Sequence, residues 1–508
     1  MPTDHDQGNE AALDRYRLHA GTSVSLFSHG GTELRSEHQI RDAVLAWQQA
    51  VRLRPDWAEG HHILSVALRL QGRLDEALLH CREAVRWAPD MAEAHNNLGS
   101  LLEETGRVDE SIASLNEALR LNPNFAQAHS NLGIALYRQH RYRQAAAAYR
   151  RAIALEPTMA EAHNNLASVL HDLGHGEAAL RRFAEAIRLK PYYRQPHWGR
   201  ALIWLSRGEF ERGWPEFEWR LSPAEMRHCR QPRWDGSDLS GRTILLDAEQ
   251  GLGDTLQFVR YGSLLRRRGA NVLLACQPRL VRLLAGCPAI DRVVSKDESV
   301  PPFDVHCPLL SLPGIFGTTL ANVPAGTPYL SADPSLVECW RRELSRLPGF
   351  KIGVAWQGSA YHPGDRRSIP LAEFAPLAQV PGVTLVSLQK GTGGDQLAEA
   401  RRLFPIVDFD ELDEGAGPFM DTAALAQGLD LVVSCDSAIC HLAGAMGRPV
   451  WAAIAAAPDW RWLVEREDSP WYPTLRLFRQ AEPGRWSDVF LRIAAAVTAR
   501  IAALSGSL

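Results

Sequence analysis

Four stretches of the chain set polar residues immediately after short hydrophobic runs, the place where an open parallel sheet presents its ligands. They are "EQGLGD" (249–254), "WQGSAYHPGDRRSIP" (356–370), "QKGTGGDQ" (389–396) and "CDSAICHLAGAMGRP" (435–449). The first ends on Asp254, at the mouth of an apparent helix, with Glu249 as a reserve carboxylate. Either acid can take a proton from a hydroxyl held within hydrogen-bond reach. The second carries Arg366 and Arg367, whose planar guanidinium groups suit two-point contact with a diphosphate. In the fourth, Asp436 and Ser437 open a helix whose first amides and partial positive charge would face an anion, with His441 one turn in. Each has a structural alternative. Asp254 with Gln257 three residues on fits a capping pair, Asp436 fits an N-cap, basic loop residues are usually solvated, and a lone histidine is more often packed than catalytic.

These loops need strands and helices to aim them. "TILLDAE", "NVLLACQ" and "DRVVS" read as strands, with "TLQFVRYGSLLRRRG" and "PRLVRLLAGC" as helices between them. A second set follows the helix-like "LVECWRRELSRL": "KIGVAW", "VTLVSLQ", "LDLVVSCD" and "PVWAAI", with "SAICHLAGAMG" as a helix. Two α/β units joined by a helix imply two doubly wound lobes with a cleft between them. No G-x-x-x-x-G-K-[ST] occurs, which argues against a P-loop nucleotidase, and the G-x-G at 251–253 lacks the third glycine of a dinucleotide fingerprint.

Upstream the chain is periodic. Pro55, Pro89, Pro123, Pro157 and Pro191 stand 34 residues apart. The units between them align without a gap, as in "AEAHNNLGSLLEETGRVDESIASLNEALRLNPNF" (92–125) and "AQAHSNLGIALYRQHRYRQAAAAYRRAIALEPTM" (126–159). Each contains two amphipathic blocks split by a turn and closed by a proline that cannot continue the helix. Neither helix can bury its face alone, so the pairs must stack into a solenoid. The pattern resembles the tetratricopeptide repeat family, which implies peptide or protein binding on the first helices of the pairs. Asn97, Asn131 and Asn165 recur there in register; their amides can hydrogen-bond an extended peptide backbone, or simply reflect a repeat position that favours asparagine.

Composition narrows the classes. A formal net charge of −4 offers no footprint for nucleic acid or an acidic membrane. Eight scattered cysteines without metal-site spacing suit a reducing compartment, and no apolar run approaches a membrane span. A cytoplasmic protein is the expectation. Lys190, Lys296, Lys351 and Lys390 are the only lysines, so arginine carries almost all the positive charge.

Residues from about 240 to 505 resemble the glycosyltransferase B-fold (GT-B), in particular the heptosyltransferase-like family. The resemblance rests on "GLGD", on "WQGSAYHPGDRRSIPLAEF" and on "DLVVSCDSAICHLAGAMGRPVW", while "DWRWLVEREDSPWYPTLRLFRQ" resembles bacterial proteins that fuse tetratricopeptide repeats to such a domain. The plan is similar to bacterial proteins that fuse tetratricopeptide repeats to such a domain and glycosylate proteins. It implies an α-solenoid followed by two Rossmann-like lobes, laid out as a polar segment (1–36), a repeat array (37–221), a linker (222–241), an acceptor-side lobe (242–332), a connecting helix (333–349) and a donor-side lobe with a C-terminal helix (350–508). It implies metal-independent, inverting transfer from a nucleotide-diphosphate sugar, a co-substrate rather than a bound cofactor, to a protein held by the repeats. By the same resemblance Asp254 takes the acceptor proton, with Glu249, Gln250, Gly251 and Gly253 forming the acceptor-side loop. Arg367 falls where heptosyltransferases carry a lysine on the leaving diphosphate; arginine keeps the charge but changes the contact. Gln357, Arg366, Gln389, Lys390, Asp436, Ser437 and His441 fall on the donor side. "DWRW" (459–462) and "SPWYP" (469–473) border a pocket or supply core aromatics. Rival readings are a non-catalytic scaffold that senses a nucleotide sugar, and a transferase acting on a glycan or lipid-linked acceptor.

Overall fold

The computed structural model describes residues 37–222, 230–358 and 366–505, and the chain divides into two compact units, Met1–Pro196 and His197–Leu508. The expected polar segment 1–36 and most of the loop "GSAYHPGD" lie outside the described residues.

The first unit is helical throughout its described length. Its helices are α1 (Glu37–Leu53), α2 (Ala58–Leu70), α3 (Leu74–Trp87), α4 (Ala92–Glu104), α5 (Val108–Leu121), α6 (Ala126–Arg138), α7 (Tyr142–Leu155), α8 (Ala160–Asp172) and α9 (Gly176–Leu189). The periodic prolines fall just past α1, α3, α5, α7 and α9, as the repeat pattern predicts. The turn within each pair needs a left-handed residue, supplied by Gly72, Gly106 and Gly174. His140 holds the same place with φ of 58°, a conformation L residues seldom adopt.

A second periodicity escaped the sequence reading. His61, His95, His129 and His163 each set a ring Nε2 within 3.0–3.1 Å of the carbonyl of Pro55, Pro89, Pro123 and Pro157. One histidine per repeat thus satisfies a carbonyl released where the preceding helix ends. Side chains also tie successive first helices together: Arg69 bonds Glu104 (2.9 Å), Glu103 pairs with Arg138, and the Tyr137 hydroxyl donates to Asp172 (2.6 Å).

In the second unit come α10 (Arg194–Ser206), most of which falls on this side of the division, and α11 (Phe210–Phe217). Sequence periodicity assigns both to the array, but α11 buries Phe210, Trp214 and Phe217 in the same hydrophobic core as the strands that follow. The Trp214 indole donates to the Thr318 carbonyl at 2.8 Å. The units therefore part at Pro196/His197 rather than near 221.

Two parallel sheets follow. The first holds β1 (Thr243–Asp247), β2 (Asn271–Cys276), β3 (Arg292–Ser295) and β4 (Val305–Pro308), in the order β3-β2-β1-β4. The second holds β5 (Phe350–Ala355), β6 (Val383–Ser387), β7 (Leu431–Cys435), β8 (Val450–Ile454) and β9 (Leu475–Arg479), in the order β6-β5-β7-β8-β9. Strand order reverses between β1 and β4 and between β5 and β7, and a crevice opens at the carboxyl ends of strands at such points. Neither β4 nor β9 is anticipated by the sequence reading. The helix expected over 255–269 is broken: α12 (Leu252–Phe258) gives way to a tight turn at Val259–Tyr261 before Gly262 restarts it. A β-carbon at Gly262 would lie 2.7 Å from the Ala289 carbonyl, so only glycine lets the chain pass there.

The connecting helix α13 (Pro334–Ser345) is capped by Asp333 and packs on α14 (Met420–Gly428). One core runs from α11 through the first sheet to the near face of the second, and α12 packs against α15 (Ala438–Ala445) across it. A separate core fills the far face of the second sheet beneath α16 (Ser487–Ser505), where the Phe374 and Phe490 ring centroids are 4.2 Å apart.

Candidate functional site

After β1 the chain turns sharply through Gln250, whose φ of 65° is left-handed without being glycine. Gly251 takes the N-cap position of α12 and its amide donates to Asp254 Oδ2 at 2.8 Å. Asp254 does cap the helix, but its partner is Gly251, not Gln257. The Gln257 side chain is buried, and among the described residues neither amide atom has a hydrogen-bond partner. Gly253 serves packing: a β-carbon there would stand 2.7 Å from His441 Cδ2, so its absence lets α12 and α15 touch. The carbonyl of Gln250 accepts from Gln277 at 3.1 Å.

Glu249 points elsewhere. Its Oε1 accepts from Arg220 and from the Leu310 amide (3.3 Å), while Oε2 is buried and has no partner among the described residues. Arg220 also bonds Glu218 at 2.8 Å and Ser311 at 2.9 Å, so Glu249 belongs to a network that fastens the end of α11 to the first sheet. Burial pushes the Glu249 carboxyl above the usual range, against the pull of Arg220.

The other oxygen of Asp254 pairs with Arg461, which reaches over from the second sheet's side. Arg461 is 8 % exposed and also bonds Asp459 at 2.7 Å. Asp459 is itself fixed as the cap of the short Trp460–Trp462 helix, accepting from the Arg461 amide at 3.0 Å. The guanidinium carbon lies 4.5 Å from the Trp460 ring centroid. Leu463, just beyond, has φ of 55°; with Gln250 it gives strained backbone on both sides of the ion pair.

Asp436 joins this cluster from the end of β7. It is buried, and Ser437 rather than Asp436 occupies the N-cap of α15, with no side-chain capping bond. Ser437 shares a 3.0 Å hydroxyl contact with Ser434. Burial, with the Asp459 carboxylate as a second cause, raises the Asp436 carboxyl to about 6 against the opposing pull of Trp462, Arg367 and Arg461. Gly358 lies beside both remaining parts, since a β-carbon there would be 3.7 Å from Arg367 Nη2 and 3.9 Å from the Asp436 carbonyl. His441 is buried against Trp462 and sets Nδ1 2.9 Å from the Tyr472 hydroxyl. Burial holds its ring neutral, and Arg461, Arg260 and Arg367 act the same way.

Three carboxylates (Asp254, Asp436 and Asp459) and two guanidinium groups (Arg367 and Arg461) thus meet beside His441, beyond the carboxyl ends of β1, β5, β7 and β8. Sequence motifs singled out Asp254, Asp436, His441 and Arg367. They missed Asp459 and Arg461 as charged partners, although the stretch "DWRW" is among those expected to border a pocket or supply core aromatics. Also missed is Arg260, buried with no carboxylate partner among the described residues and held by the Trp471 carbonyl (2.5 Å) and the Tyr329 hydroxyl (2.7 Å). It too spans the two sheets' regions. Among the described residues no group of three His, Cys, Asp or Glu side chains is placed to hold a metal ion.

Gln389, Gln357 and Lys390 are committed to the scaffold in this structure. Gln389 accepts from the amides of Trp356 (3.1 Å) and Gln357 (3.0 Å) and donates to the carbonyls of Gln357 and Thr392. The Gln357 side chain accepts from Gln396 at 3.1 Å, and Lys390 donates to the Asp410 carbonyl at 3.1 Å. Arg366 is half-buried beside Arg367.

The asparagine column also divides. Asn97 is buried and donates to Ser65 at 2.6 Å, so it is unavailable to a peptide. Asn131 donates to Asn96 at 2.9 Å, and Asn165 accepts from Asn164 at 3.1 Å; both remain partly exposed.

Comparison with known proteins bears on the helical half. Residues 101–140 match a TPR repeat family model, and residues 30–91 and 130–194 match a tetratricopeptide repeat family model. The helical pairs are tetratricopeptide repeats. The chain is 29% identical over 323 residues to Protein FlbA of Caulobacter vibrioides, covering 59% of this chain and 54% of FlbA, so it spans about half the length of that curated relative. Among solved structures, a crystal structure of MamA is 24% identical, covering 31% of this chain and 91% of that one at a TM-score of 0.28. YrrB, described as a TPR protein with an unusual peptide-binding site, is 19% identical, covering 35% of this chain and 91% of its own at 0.30. No described helix is long and apolar enough to cross a membrane.

Proposed function

We propose that the chain is a glycosyltransferase that moves a sugar from a nucleotide-diphosphate donor to a protein or peptide held by its tetratricopeptide repeats. In this reading the two parallel-sheet regions are the lobes of a GT-B fold. The observation that supports it is the convergence of Asp254, Asp436 and Arg367 at strand ends where strand order reverses, joined there by Arg461 from the segment after β8. Asp254 takes the proton of the acceptor hydroxyl as its oxygen bonds to the anomeric carbon. The bond to the diphosphate breaks on the opposite face, its electron pair leaving on the phosphate oxygen, which inverts the configuration. Arg367 and the open amides at the start of α15 stabilise that charge. Sixteen per cent of the Asp254 side chain remains accessible in the paired state, so an acceptor has a way in.

One observation favours a second reading. Both Asp254 oxygens are occupied, by Gly251 and Arg461, as they would be in a purely structural pair joining the sheets of a nucleotide-sugar sensor. Asp254→Asn separates the two. A lost base should lower transfer by about 100-fold or more while donor affinity stays near that of the parent chain. Near-parental transfer would reduce Asp254 to a cap. Arg367→Ala should weaken donor binding, and unchanged affinity would remove Arg367 from the site.

A further inference from the structure

Arg461 has no role in the proposed chemistry as stated so far, yet its placement is unusual. It is anchored within its own region by two contacts to Asp459 and by the Trp460 ring, and it extends its free guanidinium edge to Asp254. Asp254 is in turn fixed from below by the Gly251 amide, so the carboxylate is gripped at both oxygens from two different sheet regions.

Resting on the transferase reading above, we propose that Arg461 is the positioning residue for Asp254: from the opposite α/β region it holds the carboxylate in the orientation and charge state that proton acceptance requires. A catalytic base must be ionised before it can act. The surroundings of Asp254 oppose ionisation, because burial and the nearby Asp459 carboxylate both raise its pKa. Arg461 is the foremost group acting in the other direction. The remaining titratable and charged groups around the pair are Asp436, which faces Arg461, together with His441 on α15 and Arg367. His441 is held neutral, and Arg367 acts on Asp436 and His441. The short Trp460–Trp462 helix thus supplies the acceptor-side acid with its counter-charge, and proton acceptance depends on the two α/β regions being apposed.

The test needs neither donor nor acceptor. Full-length protein labelled with carboxyl-13C aspartate is titrated by NMR, with the Asp254 signal assigned by its loss in Asp254→Asn. In Arg461→Ala the Asp254 midpoint should rise by about one to three pH units, the usual span for loss of an adjacent opposite charge. Arg461→Lys keeps the charge without the two-carboxylate fork and should fall between the two. A midpoint in Arg461→Ala equal to that of the parent overturns the proposal. Should Arg461→Ala not fold, Arg461→Met, which keeps apolar bulk without the charge, decides, and a parental midpoint there overturns it as well. In transfer assays the acid limb of the rate profile should move up by the same amount, so Arg461→Ala loses more at pH 6 than at pH 8.5. A merely structural residue would lower the rate equally at both. Absence of transfer in the parent chain would defeat the transferase reading, and the titration would still show whether Arg461 controls Asp254.

Discussion

The repeat array and the charged cluster of the α/β half are both held by side-chain hydrogen bonds, but at very different reach. In the array the bonds recur at fixed short offsets: the histidine rings reach back six residues to a proline carbonyl, and Arg69–Glu104 and Tyr137–Asp172 each span 35 residues. In the α/β half, Asp254 meets Arg461 across 207 residues and Arg260 meets the Trp471 carbonyl across 211. Repetition spreads stability over many equivalent contacts, each replaceable. A cluster assembled from distant segments concentrates it in a few that are not.

Substitutions should expose this difference, beginning with the largest. Arg260→Met removes the guanidinium that bonds the Trp471 and Pro324 carbonyls and the Tyr329 hydroxyl. Leaving buried acceptors unsatisfied costs about 1–3 kcal/mol each, so the loss should reach about 3 kcal/mol or more. Hydrogen exchange should show it as lost protection across α12, α15 and β9, while α2–α9 keep theirs. Equal loss in the repeats would erase the contrast.

Next in size is a pH effect at Asp436. Its folded value, about 6, is above its ordinary 3.8, so the stability it contributes is complete below 3.8 and is lost as pH rises through about 6. Asp436→Asn should therefore stabilise the α/β half at pH 8, by up to about 3 kcal/mol, and gain little at pH 4. Thermal unfolding at the two pH values checks this. A gain independent of pH would mean that the carboxyl is not held protonated by its surroundings.

The smallest change is His129→Ala. Loss of one bond to the Pro123 carbonyl (3.1 Å) should cost about 1 kcal/mol or less. The same substitution at His95 should cost a similar amount, since the bond recurs there at 3.0 Å. Markedly unequal losses would show that the repeats are less equivalent than their geometry.

The same difference in reach governs what the sequence reveals. Helix pairs, turns and closing prolines of the array were legible because each contact sits at a constant offset. Even there Asn97 misled, because its register matches Asn131 and Asn165 while its environment is closed by Ser65. Seven of the nine strands among the described residues stood out as apolar runs. β4 did not, since "VHCP" is short and mixed, and β9 did not, since "LRLFR" carries two arginines. In the site, residues lying on strand-to-helix turns were found by motif: Asp254, Asp436, Ser437 and His441. Asp459 and Arg461 were not, because nothing local in "DWRW" marks an ion pair with a partner so far away. Gln250 and Leu463 hid their left-handed conformations behind side chains that normally avoid it.

The most direct measurement is thermal unfolding of the full chain against a panel of nucleotide-diphosphate sugars, each tested alone and with candidate acceptor peptides. The transferase reading predicts that donors of one base stabilise the α/β half selectively, by about 2.7 kcal/mol at 100 times the dissociation constant, with the shift lost in Arg367→Ala. No shift with any donor, with or without peptide, would contradict it and leave the chain as a tetratricopeptide-repeat scaffold whose charged cluster only holds two sheets together.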